Sequence, residues 1–156
     1  LKYVKGNLLE AQETLIVHGC NGQGVMGAGV AAAIRNKWPG AFKEYKTFQE
    51  AYGLALGTYS SYLTDEKKIV VNLITQENYG TSIRQVNYAS IAVGFDNIIK
   101  DSMVAKQNKG DTSILGIAIP KIGAGLGGGD WEIIEAILED LEKVWNNYVE
   151  FVVYEI

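Results

Sequence analysis

The chain has 156 residues, with 14 Lys and Arg against 18 Asp and Glu, a net charge of −4, a single Cys and a single His. One Cys excludes a disulfide framework and a Cys-based zinc finger, one His excludes a His-rich metal centre, and the acidic balance argues against binding nucleic acid through a basic surface. Hydrophobic residues make up 47% of the chain, which excludes disorder, so its 18 Gly, against about eleven at ordinary usage, are not linker.

Residues 2–9 mix β-branched, aromatic and Lys positions and read as a strand. Leu15-Ile16-Val17 reads as a short buried strand. A Gly-rich loop follows, then a helix over 26–38, with Met26, Val30, Ala33, Ile34 and Trp38 near helical spacing and Pro39 as its stop. Phe42, Tyr45, Phe48 and Tyr52 predict a second helix. Residues 56–63 and 68–74 predict two strands around the polar turn Thr64 to Lys67. Tyr88, Ile91, Ala92, Phe95, Ile98 and Ile99 define an amphipathic helix capped by Asn87. A strand over 113–119 precedes a second Gly-rich loop. Ile134, Ile137, Leu138, Leu141, Val144 and Trp145 then make the strongest helical pattern, and 149–154 a last strand. The order β-β-α-α-β-β-α-β-α-β predicts an α/β fold with a mostly parallel sheet covered on both faces. No apolar run approaches the ~18–20 residues that span a bilayer, and Leu1 to Lys5 lacks the apolar core of a secretion signal. One cytoplasmic domain over 1–156 is the expectation.

Ten of the 18 Gly fall in two stretches, 19–29 and 123–129, each directly after an apolar strand and before a helix. Ligands of open α/β sheets bind beyond the carboxyl ends of the strands. Glycine lets a ligand approach the backbone, and helix N-termini offer free N–H groups. Two such loops at one sheet edge predict a pincer for an anion, with a diphosphate as the expected ligand. Gly22, Gly24 and Gly27 match G-x-G-x-x-G, yet Glu44, at the spacing of a ribose-binding acid, falls inside a predicted helix. That sets a nicotinamide-dependent oxidoreductase aside, and no Gly-Lys-Ser/Thr makes the loop a P-loop.

Three side chains beside the loops are candidates for chemistry. His18 is either a general acid or base or a core histidine that fixes the loop. Asn21 can donate and accept to a sugar hydroxyl or a water, or form a turn. Asp130 is an N-cap for the last helix and, beside the anion site, can orient a water. Cys20 has no Lys or Arg among its sequence neighbours and reads as packing. Tyr79, after the fourth strand, can stack on a ribose or base.

Taken together, Tyr3-Val4-Lys5-Gly6-Asn7-Leu8, Val17-His18-Gly19-Cys20-Asn21, Met26-Gly27-Ala28-Gly29-Val30-Ala31 and Pro120-Lys121-Ile122-Gly123-Ala124-Gly125-Leu126 resemble the macro domain, an ADP-ribose-binding α/β/α module. The look is nearest to the branch with ADP-ribose 1″-phosphate phosphatases of yeast and phage type, which resembles the Gly-Ala-Gly-Leu-Gly-Gly-Gly-Asp-Trp run at 123–131 as well. The resemblance implies a three-layer fold around a mixed, mostly parallel six-stranded sheet. It implies adenine at Gly6, Asn7 and Leu8, where many relatives carry Asp in place of Asn7. It implies the distal ribose at Cys20 and Asn21, and the distal ribose and diphosphate within Gly24, Val25, Met26, Gly27, Ala28 and Gly29. Ile122, Gly123, Ala124, Gly125, Leu126 and Gly127 would close on the phosphates from the other side. The implied activity is removal of the terminal phosphate of ADP-ribose 1″-phosphate, with His18, Asn21 and Asp130 as catalytic residues and no metal or cofactor. A reader of free or protein-linked ADP-ribose and an O-acetyl-ADP-ribose deacetylase are the alternatives. A related branch that removes ADP-ribose from glutamate uses a Lys and an Asp. The matching positions here carry Gln76 or Glu77, and Gly127, so that mechanism is not carried over. Neither a membrane nor direct nucleic-acid contact is expected.

Overall fold

A computed structural model describes residues 1–156. Six strands form one sheet: β1 (Lys2–Lys5), β2 (Leu15–Asn21), β3 (Tyr59–Leu63), β4 (Ile69–Gln76), β5 (Leu115–Ile119) and β6 (Val149–Glu155). Their order is β1-β6-β5-β2-β4-β3, and every neighbouring pair is parallel except β3 with β4. The helices are α1 (Gly29–Lys37), α2 (Pro39–Tyr52), α3 (Tyr88–Asn108) and α4 (Trp131–Val144). The mixed, mostly parallel three-layer arrangement expected from the sequence is the one present.

Alternation along the central strands sorts side chains between the layers. Leu15 and Val17 of β2 and Val71 and Leu73 of β4 join the core shared with α3 and α4. Ile16 and Val70 join Ile34, Trp38 and Ala41 of the α1–α2 side. Within the larger core Phe95 meets Phe151 edge-on at 5.1 Å, a favoured aromatic geometry. None of the helices is long and apolar enough to cross a membrane.

Several boundaries differ from the sequence expectation, each for a local reason. The first strand stops at Lys5, because the Asn7 side chain accepts the Leu9 N–H at 3.0 Å and starts a single 3-10 turn, Leu8–Glu10. The second strand runs four residues past Val17, through His18, Gly19, Cys20 and Asn21. Those residues look loop-like in sequence, but pairing with β4 satisfies their backbone. The first helix starts at Gly29 and not at 26, since Met26 is buried among Cys20, Tyr45 and Ile74 and pins the preceding loop. Pro39 ends α1 and opens α2 as its first residue, where its missing N–H costs nothing. The fifth strand begins at Leu115, after the Asp111 carboxylate accepts the Ser113 N–H at 2.9 Å in a turn.

Candidate functional site

β2 lies between β4 and β5; the chain leaves β2 into α1 on one face of the sheet and leaves β5 into α4 on the other. Their carboxyl ends diverge there, and a cleft of about 600 Å³ opens, within the usual size of small-molecule sites. Three segments wall it: the end of β2 with the loop into α1, the end of β4 with the residues after it, and the loop after β5.

The first loop is held from behind. The Asn21 Oδ1 accepts the Gln23 N–H at 2.9 Å and the Val25 N–H at 3.3 Å, while its Nδ2 donates to the Val25 carbonyl at 2.7 Å. One amide N–H of Asn21 therefore remains for a ligand. The buried Tyr45 hydroxyl donates to the Asn21 carbonyl at 2.5 Å and accepts the Gly24 N–H at 3.1 Å. Burial pushes the Tyr45 phenol well above its ordinary pKa, so it stays protonated and keeps both bonds. Gly24 sits at φ +81°, open to glycine and strained for other residues. Past this anchor the chain enters α1 with Ala28 as its N-cap, a side chain that satisfies no N–H. Gly29, Val30 and Ala31 line the cleft, and their backbone N–H groups have no acceptor within the protein. A helix N-terminus of this kind favours an anion.

The second loop supplies the opposite wall. Gly129 N–H bonds the Gly123 carbonyl at 2.8 Å, and the Gly127 carbonyl accepts from Gln85 and Val86 at 2.9 and 3.1 Å. These bonds leave the N–H groups of Gly125, Leu126 and Gly127 unpartnered. The two loops touch: a Cβ at Gly29 would lie 3.0 Å from Leu126 Cδ1. The helix after this loop does not add a second anion site. The Asp130 carboxylate accepts the Glu132 N–H at 2.9 Å and caps α4, outside the cleft.

Most of the expected contact residues meet here. Cys20, Asn21, Val25, Gly27, Ala28 and Gly29 line one side of the cleft, with Tyr79 at its edge. Ile122, Gly123, Gly125, Leu126 and Gly127 line the other. Gly24, Met26 and Ala124 are not on the cleft wall: Gly24 is tied to Tyr45, Met26 is buried, and Ala124 packs against the main core. Gly6, Asn7 and Leu8 lie at the same sheet edge but beyond the cleft wall, at the end of β1, with Leu8 buried against the α1–α2 side.

His18 faces the α1–α2 layer, is fully buried, and is absent from the cleft wall. Its register partner on β4 is Asn72. The Asn72 Nδ2 donates to the Ala41 carbonyl at 3.0 Å and to Ser60 Oγ at 3.1 Å. A carbonyl can only accept, so Asn72 Oδ1 must face the histidine, and His18 Nε2, 2.7 Å away, carries the proton. Burial lowers the His18 pKa to about 4, against a smaller opposing effect of the Asn72 bond, so the ring is neutral near pH 7. Burial also pushes the Cys20 thiol far up, and it is no nucleophile. In the fold His18 holds β2 to β4 and Asp130 caps α4.

Sequence reasoning missed Thr75, Lys121 and Tyr45 as parts of the site; Gln76 stands on the cleft wall as its place after the fourth predicted strand implies. Lys121 is the only charged side chain on the cleft wall and is paired with Glu155 at 3.1 Å. No carboxylate or imidazole lines the cleft. Gln76 and Gly127 face each other, a Cβ at 127 falling 3.0 Å from Gln76 Oε1. Pro120-Lys121 flanks the second glycine run and was the available signal for Lys121. Tyr45 gave only a helical periodicity, which says nothing of its hydroxyl.

Fold and cleft define an α/β module with two rows of unpartnered main-chain N–H groups at the carboxyl edge of its sheet. The macro domain family model matches residues 17–138. The chain belongs to the macro domain family. It is 27% identical over 155 residues to an ADP-ribose 1″-phosphate phosphatase of Candida albicans, covering 96% of this chain and 99% of that protein. It is 32% identical over 148 residues to an uncharacterised 17.5 kDa protein of Enterobacteria phage T4, covering 89% of this chain and 88% of that one. The macrodomain of Thermus aquaticus DarG superposes with a TM-score of 0.70 at 28% identity, over 99% of this chain and 97% of that chain.

Proposed function

We propose that the chain binds ADP-ribose in this cleft and hydrolyses ADP-ribose 1″-phosphate to ADP-ribose and inorganic phosphate. The observation that carries this reading is the double row of unpartnered N–H groups, Gly29 to Ala31 on one wall and Gly125 to Gly127 on the other. Such donors suit phosphate oxygens and need no reorganisation when charge develops. The near full-length likeness to a yeast phosphatase for this substrate supports the choice of reaction.

In the proposed complex the diphosphate lies between the two loops, the free Asn21 N–H meets the distal ribose, and Tyr79 packs on the sugar. Adenine extends past the cleft toward Gly6, Asn7 and Leu8. A water oxygen attacks the terminal phosphorus, and the bond from phosphorus to the 1″ oxygen breaks. The sugar oxygen leaves with the bonding pair and takes a proton originating from the water, while phosphate keeps the other. His18 supports this from behind, through the β2–β4 pairing that sets Cys20 and Asn21. The Gln76 and Gly127 pair offers neither amine nor carboxylate, so a lysine adduct is outside this chemistry.

The bare cleft wall, without carboxylate or imidazole, favours a second reading, an ADP-ribose reader without turnover. One experiment separates them. Phosphate release from ADP-ribose 1″-phosphate is measured beside calorimetry with ADP-ribose. Release and binding together are expected. Binding without release leaves the reader, and loss of both removes the ADP-ribose reading.

A further inference from the structure

β4 carries a bulge at the cleft. Cys20 pairs with Ile74 and Asn21 with Gln76, so Thr75 is the extra residue between them. Bulges of this kind re-aim a side chain and occur beside active sites. Here the carbonyl of Thr75 is held by the Asn87 N–H at 2.7 Å, and the side chain stands on the cleft wall.

Its hydroxyl is unusual among the buried polar groups. Thr75 is 1% exposed, yet its Oγ1 makes no hydrogen bond within the protein, unlike the side chains of His18, Asn21 and Asn72, each of which is bonded. Trp38 Nε1 is the one fully enclosed side-chain polar atom without a partner. The unpartnered Thr75 Oγ1 therefore keeps its small exposure toward the cleft. Gly19 makes room for it: a Cβ there would sit 2.7 Å from Thr75 Oγ1 and 3.3 Å from Ile122. Gly19 has no positive φ to require glycine, so space is the reason for glycine at that position. A buried hydroxyl left without a partner costs free energy that a ligand oxygen can return.

We infer that Thr75 is a substrate-contacting residue, its Oγ–H donating to an oxygen at the sugar-phosphate end of the ligand. This rests on the ADP-ribose reading above, and it adds a side-chain donor beside Asn21 to a grip made mainly of backbone. The hydroxyl stands beside Gly19 and Ile122 on the wall of the same cleft.

The test uses the full chain and two substitutions, Thr75→Val and Thr75→Ser, with three readouts: melting temperature, ADP-ribose affinity by calorimetry, and kcat and KM for phosphate release. Valine keeps the shape and removes the donor. Its melting temperature is expected to hold or rise, because no protein bond is lost. ADP-ribose affinity or kcat/KM is expected to fall about tenfold, the effect of one hydrogen bond to a charged or strongly polar oxygen. Serine is expected to restore most of that loss. If Thr75→Val matches the wild type in affinity and turnover, or lowers the melting temperature with a loss that serine does not repair, the inference is overturned. If the wild type binds ADP-ribose but releases no phosphate, the phosphatase reading fails on its own. The affinity ratio of the two variants then still decides the role of Thr75.

Discussion

Replacing His18 with leucine tests the buried pair that ties β2 to β4. His18 is neutral in the fold, with its pKa lowered to about 4 from an ordinary 6.5 by burial. Between those two values the unfolded chain holds a proton that the folded chain rejects. Stability therefore falls as pH falls through this window, and it is fully present above about 6.5. At ~1.4 kcal/mol per unit the whole window is worth about 3 kcal/mol. The leucine variant has no such proton. Near pH 7 it should be less stable by about 1–3 kcal/mol, because Asn72 Oδ1 loses its donor in a dry layer. Toward pH 4.5 the wild type should lose that advantage, and the two stabilities should converge or cross. Urea unfolding at a series of pH values measures this directly. All other titrating groups are common to both proteins and cancel in the difference. Parallel stability curves for the two proteins from pH 7 to 4.5 would refute the reasoning, as would a variant as stable as the wild type at pH 7.

Two further substitutions probe the cleft. Val30→Glu places a carboxylate in the first turn of α1, on the cleft wall. Acidic residues there stabilise a helix by about 0.3–1 kcal/mol, so melting should hold or rise while ADP-ribose affinity falls at least tenfold; an unchanged affinity by calorimetry would count against the anion site. Tyr45→Phe removes the hydroxyl that joins the Asn21 carbonyl to the Gly24 N–H. A loss of about 1–3 kcal/mol in urea unfolding is expected, with weaker ADP-ribose binding, and full stability would show that the anchor is idle.

The helices and strands were legible because their apolar spacing is strong. Phe95, Ile98 and Ile99 on α3, and Ile134, Leu138 and Leu141 on α4, are all core residues, and Asn87 and Asp130 cap where expected. The glycine loops were legible by position, directly after β2 and β5. The reach of β2 was hidden because His18, Gly19 and Asn21 carry no apolar signal; it took the partner strand, with Asn72 opposite His18, to keep them extended. His18 lies just short of the cleft on the α1–α2 face of β2, while Gly19, Cys20 and Asn21, at the end of the strand, line the cleft. Thr75 was invisible because a bulge, which leaves no local sequence mark, aims it.

In the proposed complex, main-chain N–H groups on two loops grip the ligand. Titrating the ¹⁵N-labelled protein with ADP-ribose and following each amide tests it most directly. Saturable shifts should concentrate at Gly29, Val30 and Ala31 and at Gly125, Leu126 and Gly127, with smaller changes near Asn7. Saturation that leaves these six amides unmoved, or no saturation at all, would contradict the account.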